Sequence, residues 1–510
     1  MSRPARKVDA VSREFGDMQR LVRYGNGHLS DACFLLLQVL DAAAARSWLQ
    51  SAPVTNAEKE DPRPDHALHI AFTAAGLHAL EISRSIIEGF SDAFIVGMAG
   101  DINRSRRLGD TGDNDPVNWE WGHPEQPHVL MMLYAQENGL QTWISEIEND
   151  EFAAAFSVSK RLLTAAPGPN EPFGFADGIS QPEIDWQDQL STDLHERASY
   201  TNQVKVGEIL LGYENEYGLY TDRPLLDPAT VPHADILPLA EDSPTHHDLG
   251  RNGCYLVMRQ LEQDVPSFWR FLDQMTAGNE HEREQLASAM VGRKRDGTPL
   301  INHSGNSVQV DDQVDLTASN RFSFDEDPNG QVCPIGAHIR RANPRTGDLP
   351  PGTTGWLSRL LRTLGFGRRH PNEDLISSTR FHRLLRRGRA YGPTLSPADA
   401  INANADTNQR GLHFVCMGAN ILRQFEFVQN AWLMNSKFAG LAGESDPLLG
   451  NREPLLSGEA TDQFSLPQPD APAQRHASLP QFVTVRGGAY FFMPGLKALQ
   501  FISTHPEDNQ

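Results

Sequence analysis

The sequence predicts an α+β protein built on a duplicated module, with antiparallel sheets and helices on one face. Three observations carry this expectation. Short apolar runs, each followed by an amphipathic helical run, recur in both halves of the chain. Long irregular stretches separate these units, which favours antiparallel sheets over a doubly wound fold. At 510 residues the chain also exceeds what one ordinary core accommodates.

The first unit is "ACFLLLQVLDAAAARSWLQ" (32–50). Its apolar run is far shorter than the roughly 20 residues that span a bilayer. It also lies well behind the N-terminus, unlike the apolar region of a signal peptide. It reads as a buried strand followed by a helix. "HALHIAFTAAGLHAL" (66–80) and "HVLMMLYAQENGLQTWISEI" (128–147) repeat the pattern. Residues 160–210 read as a connection between two modules, placed at 1–200 and 201–510. The second module repeats the unit as "CYLVMRQLEQDVPSFWRFLDQM" (254–275) and "GLHFVCMGANILRQFEFVQNAWL" (411–433). "FVTVRGGAYFFM" (482–493) is expected to form the last strands, with a short helix behind them. An insertion is expected at about 346–380, opened by "LPPGTTG". Its "WLSRLLRTLGFGRR" suits a basic amphipathic helix, either a solvated face or a dock for lipid or an acidic partner.

Composition removes several classes. Cys33, Cys254, Cys333 and Cys416 form no CxxC pair, and three sit in apolar stretches, as reduced buried thiols do. A structural zinc site and covalent c-type haem attachment are thereby disfavoured. With 45 basic against 66 acidic residues, the net charge of -21 argues against nucleic acid and anionic membrane as partners. No integral membrane segment is expected.

Three stretches carry candidate chemistry: "GFADG" (174–178), "CPIGAHIRRANPR" (333–345) and "FHRLLRRGRAYGP" (381–393). Singly, each has a plain structural explanation. A glycine-flanked aspartate is commonly a turn acid, a histidine among apolar neighbours a core residue, and paired arginines surface ion pairs.

In order along the chain, the three resemble the dye-decolorizing (DyP-type) haem peroxidases. "GFADG" matches that family's GxxDG signature with Asp177 at the acid. "CPIGAHIRRANPR" looks like the segment of the proximal haem ligand, which falls on His338. "LLRRGRAYGP" looks like the segment of the distal arginine, which falls on Arg386. The match continues through 411–433, placing Leu412 and Phe414 over the haem, and through "ESDPLLG" (444–450), which puts Asp446 behind the proximal histidine, with Glu426 as a weaker candidate. The resemblance covers roughly residues 25–500.

The resemblance implies two ferredoxin-like modules, one haem b per chain in the second, and hydrogen peroxide with phenolic, dye-like or related donors as substrates. It gives Asp177 the role of proton shuttle and Arg386 that of charge stabiliser. Arg345 is expected at a haem propionate. Tyr391 falls at the position of a surface electron-transfer residue, with a packed, hydroxyl-bonded aromatic as the plain alternative. Two other functions are weighed: a haem-binding storage, transport or iron-release protein, and a haem-free domain pair for assembly. A Soret band excludes the second, and rapid oxidation by stoichiometric peroxide excludes the first. The cytoplasm is the default compartment, with twin-arginine export of some relatives as the other route. A homo-oligomer is compatible with the sequence.

Overall fold

A computed structural model describes residues 14–165, 168, 170–190, 202–301, 318–345, 379–403, 408–468 and 470–504. The expected basic helix at 356–369 lies outside the described residues, as does all of the insertion up to 378.

The first half contributes β1 (Asp31–Val39), β2 (His66–Phe72), β3 (Val129–Ala135) and β4 (Phe156–Leu163). The second contributes β5 (Cys254–Gln263), β6 (Leu385–Arg386), β7 (Arg389–Tyr391), β8 (Gly411–Gly418) and β9 (Val483–Met493). All nine join one antiparallel sheet in the order β6-β8-β5-β9-β2-β3-β1-β4, with β7 also pairing β8. Taken by halves, the order is second-third-first-fourth both times, the arrangement of a ferredoxin-like module. Between β9 and β2 one position pairs, Phe492 with Phe72, and Trp121 bridges Gly487 nearby.

The strands are apolar without alternation because the sheet is buried on both faces. In β1, Cys33, Leu35 and Leu37 point into one core while Phe34 and Leu36 point into the other. On the first face lie α1 (Ala42–Ser51), α2 (Leu140–Ile147), α3 (Asp150–Ala155) and α4 (Val265–Met275), burying Trp48, Trp143, Phe152 and Trp269. Asp41 starts α1 by accepting from Ala44 N at 2.8 Å, and Asp264 caps α4 ahead of Pro266 in its first turn. On the second face strand residues of both halves share one core, with Phe34 of β1 and His413 of β8 5.9 Å apart between ring centroids, and Met18, Leu21, Ile209, Leu210 and Tyr213 from the connecting chain complete it.

Two elements differ from expectation. Residues 483–493 form one strand, because Arg486, between Val485 and Gly487, makes a bulge rather than a turn. A Cβ on Gly487 would collide with Trp121. The helix expected after β8 is π-helical over Leu422–Glu426 and Val428–Leu433. All four cysteines are buried and free.

Candidate active site

The second half holds a cavity against the helical face of the sheet. Strand alternation sets its floor: Leu412 and Phe414 of β8 line it, while His413 and Val415 between and beyond them are buried toward the other side. Leu261 of β5 and Val483 and Val485 of β9 extend the apolar surface.

His338 reaches this cavity from the first position of α5 (His338–Ala342). Its Nδ1 lies 3.0 Å from Asp446 Oδ2. Asp446 is fully buried, and its Oδ1 accepts from the amides of Leu448 at 2.9 Å and Leu449 at 2.8 Å. Burial alone would push this carboxyl up, yet the imidazole, the nearby Arg341 guanidinium and the Leu449 amide together hold it below the usual range. Burial likewise opposes charge on His338, and the Asp446 carboxylate outweighs it, so the imidazole is raised. The arginines after His338 are scaffold. Arg341 donates to the carbonyls of Trp432, Leu433, Asn435 and Glu444, tying α5 to the π-helix and to the Asp446 segment. Arg340 bonds Asp327 at 3.0 Å and the Cys333 carbonyl at 2.7 Å.

Asp177 stands at the end of a loop bent by Gly174 (φ +97°) and followed by Gly178 (φ +78°). A Cβ on Gly174 would come within 2.9 Å of Arg295, whereas Gly178 has open space and is required by its backbone angle alone. The Asp177 side chain is 44% exposed, and it lines the cavity. Arg386 Nη1 donates to Asp177 Oδ1 at 3.1 Å. Arg386 is held by its β6 pairing with Cys416 and by its own amide donating to Gln181 Oε1 at 3.0 Å. Burial pushes the Asp177 carboxyl up, but Arg386, the Gly178 amide and His338 outweigh it, leaving it below the usual range.

Three expected residues sit elsewhere. Arg345 is 4% exposed and donates to the Asn320 and Phe322 carbonyls, Asn320 Oδ1 and Ser180 Oγ. It braces the wall from behind instead of lining the cavity as a propionate partner would; Arg293 and Arg383 do line it. Glu426 does not back His338. It pairs with Arg104 at 2.9 Å and accepts from the Tyr490 hydroxyl at 3.0 Å. Tyr391 is not a surface residue. At 8% exposure it stacks on His413, with centroids 4.5 Å apart, and its hydroxyl bonds Gln260.

Sequence reasoning missed the buried Arg259–Asp110 ion pair and the Glu171 carboxylate, all of which line the cavity. Glu171 opens the same stretch as Asp177, and an acid followed by two aromatics around a glycine was the available signal.

A histidine backed by a buried acid, sharing a cavity with an arginine-paired carboxylate, is the equipment of a peroxidase. No family model matches the chain. Among curated proteins, it is 30% identical over 498 residues to the Multifunctional dye peroxidase DyP2 of Amycolatopsis sp., covering 91% of each chain. The Dye-decolorizing peroxidase msp1 of Mycetinis scorodonius is 28% identical over 459 residues, or 86% of this chain and 77% of that one. The crystal structure of a fungal DyP-type peroxidase from Auricularia auricula-judae superposes with a TM-score of 0.70 at 26% identity, covering 97% of this chain and 100% of that one. The chain belongs to the dye-decolorizing peroxidase family, whose members are haem-dependent, and it is a peroxidase.

Proposed function

We propose that the cavity holds one haem b per chain and that His338, Asp177 and Arg386 carry out reduction of hydrogen peroxide at the expense of phenolic or dye-like donors. The observation that carries this reading is the Asp177–Arg386 contact of 3.1 Å in the same cavity as the His338–Asp446 contact of 3.0 Å. The donor set fits haem. Asp446 occupies Nδ1 and leaves Nε2 of His338 as the ligating nitrogen. Among the described residues no group of three His, Cys, Asp or Glu could hold a bare metal ion, and a lone imidazole suits an iron that brings its own equatorial ligands. Leu412 and Phe414 supply apolar walls.

Haem, when bound, supplies the redox-active iron. Asp446 keeps the His338 proton on Nδ1 and adds negative charge behind the ring, strengthening it as a ligand. Asp177, held as a carboxylate by Arg386, accepts a proton from one peroxide oxygen and returns it to the other, which leaves as water. Arg386 stabilises the negative charge that develops between these transfers.

Bulky donors need an electron path to solvent. Trp432 and His382 line the cavity, and His382 stacks on Phe427 at 3.7 Å with Trp432 edge-on at 5.2 Å. Phe381, the neighbour of His382, stacks at 4.2 Å on Tyr217, which is 41% exposed. This favours Tyr217 over Tyr391 as the outer end of an electron path. Among the described residues no helix is long and apolar enough to cross a membrane.

The test is a Soret band in the purified protein, followed by stopped-flow mixing with stoichiometric peroxide and a donor screen. Rapid spectral conversion, reversed by phenolic donors, is expected. A haem spectrum that peroxide leaves unchanged would favour a carrier.

A further inference from the structure

One residue closes the loop that carries Asp177. Glu171 Oε2 accepts from Phe173 N and Oε1 from Phe175 N, each at 2.9 Å. Its own amide donates to the Phe175 carbonyl and its carbonyl accepts from Gly174 N, both at 2.8 Å. Gln263 of β5 donates to Oε2 at 2.7 Å, fastening the loop to the sheet. Phe173 and Phe175, whose amides are held, pack on Phe268 and Trp269. Arg295 and Asn170 hold the loop as well, through the Ala176 amide (2.9 Å to the Arg295 carbonyl) and the Gly174 carbonyl, but both carboxylate oxygens that hold the Phe173 and Phe175 amides belong to Glu171.

A turn alone does not require this residue. A short asparagine or serine can close a turn without burying a charge, and a buried carboxylate is costly unless its lone pairs are filled. Here burial pushes the carboxyl up to about 7 against the pull of both amides and Gln263, with the Asp177 charge adding to the rise. The carboxylate also lines the cavity beside the reacting groups.

We propose that Glu171 is the positioning residue for Asp177: its two carboxylate oxygens, each holding one loop amide, set where the Asp177 carboxylate stands relative to Arg386 and peroxide. This rests on the proton-shuttle role of Asp177. Glutamine at 171 keeps one acceptor but turns an NH₂ against a loop N–H or against Gln263, so one of the two clamps is lost while volume is kept.

The experiment is a double-mutant cycle on haem-loaded protein, using E171Q, D177N and the pair, with peroxide as the probe and stopped-flow rates as one readout. Amide hydrogen exchange of segment 171–178 in the haem-free protein is the other. E171Q is expected to keep the resting haem spectrum, to exchange faster at Phe173 and Phe175, and to react about 10- to 100-fold more slowly, the scale of a small misplacement of a catalytic group. In the D177N background the same substitution should add no further slowing. Faster exchange with a parental rate would reduce Glu171 to a structural clamp and overturn the proposal. Equal slowing in both backgrounds would overturn it too, because Glu171 would then act on its own. D177N reacting at the parental rate would instead remove the shuttle role itself. If E171Q fails to load haem, the exchange readout on the haem-free chain still decides whether the amides are released.

Discussion

The two halves of the sheet share one strand order and treat the same face in opposite ways. In the first half that face is filled: Trp48 sits edge-on to Phe152 and Phe156, with centroids 5.6 and 5.7 Å apart, and Trp143 closes the layer. In the second half the corresponding layer is held open, with Leu412 and Phe414 facing a cavity. The difference lies in the connections. Short helices return directly between β1 and β2 and between β3 and β4, whereas residues 292–384 and 419–482 separate the strands of the second half and bring His338 and Asp446. A duplicated fold gains a site where its connections lengthen, because long surface connections are tolerated at little entropic cost.

The largest test of that contrast is His338→Ala. It should lose most bound haem, since the cavity would keep its walls but lose its ligand, and pyridine haemochrome content would measure it. Full retention with an unchanged spectrum would move the search to His382, which also lines the cavity.

Next come the polar pair. Asp177→Asn should slow the first spectral change with peroxide by about 10²- to 10⁴-fold while haem stays bound. Arg386→Leu should slow it by ~10²- to 10³-fold, and the double variant should fall short of the product of the two. The pH profile carries a sign. Because Arg386 holds Asp177 below the usual carboxylate range, the parental rate should persist as pH falls through that range and drop only below it. Without Arg386, burial dominates, and the acid limb of Arg386→Leu should move to higher pH. An unmoved limb in stopped-flow rates would separate the limb from Asp177.

Filled and open layers should also answer truncation differently. Trp48→Ala should cost about 3–5 kcal/mol in chemical unfolding and leave the haem spectrum unchanged. Leu412→Ala, half-buried at the cavity wall, should cost less than the ~2–5 kcal/mol of a leucine inside a core and shift the haem spectrum instead. Equal costs would mean that the open layer is packed as tightly as the closed one.

The smallest effect expected is that of Tyr391→Phe, which removes one buried hydroxyl contact and should leave bulky-dye turnover near parental at about 1 kcal/mol of stability. Tyr217→Ser should lower turnover of a bulky dye while sparing a small phenol. The reverse pattern in steady-state assays would return the electron path to Tyr391.

What the sequence made legible follows from range. The strands were readable because apolar runs buried on both faces need no partner to be recognised, and β1, β5 and β8 fall where the runs do. Asp177, His338 and Arg386 were readable through short local motifs. Arg345, Glu426 and Tyr391 were not, because what each touches is decided by distant chain: Asn320 and Ser180 for the first, Arg104 and Tyr490 for the second, His413 and Gln260 for the third. Glu171 escaped for another reason. Its partners are mostly backbone amides, which every residue carries and no sequence pattern marks.

The join between β9 and β2 bears on how this chain stays apart from its copies. A lone module of this order would present two unpaired margins, and a pair of modules four, each a template for strand addition. Abutting β9 on β2 hides two of them, with Phe492 and Phe72 at the point of contact. Of the outer two, one is split into β6, of two residues, and β7, of three, while β4 carries Lys160 and Arg161 and its chain runs on to Ala165, whose amide donates to the Ala390 carbonyl of β7 at 2.8 Å. Short or charged margins resist further pairing, so the end-to-end seam that makes the sheet continuous also leaves it with little to offer a neighbouring chain.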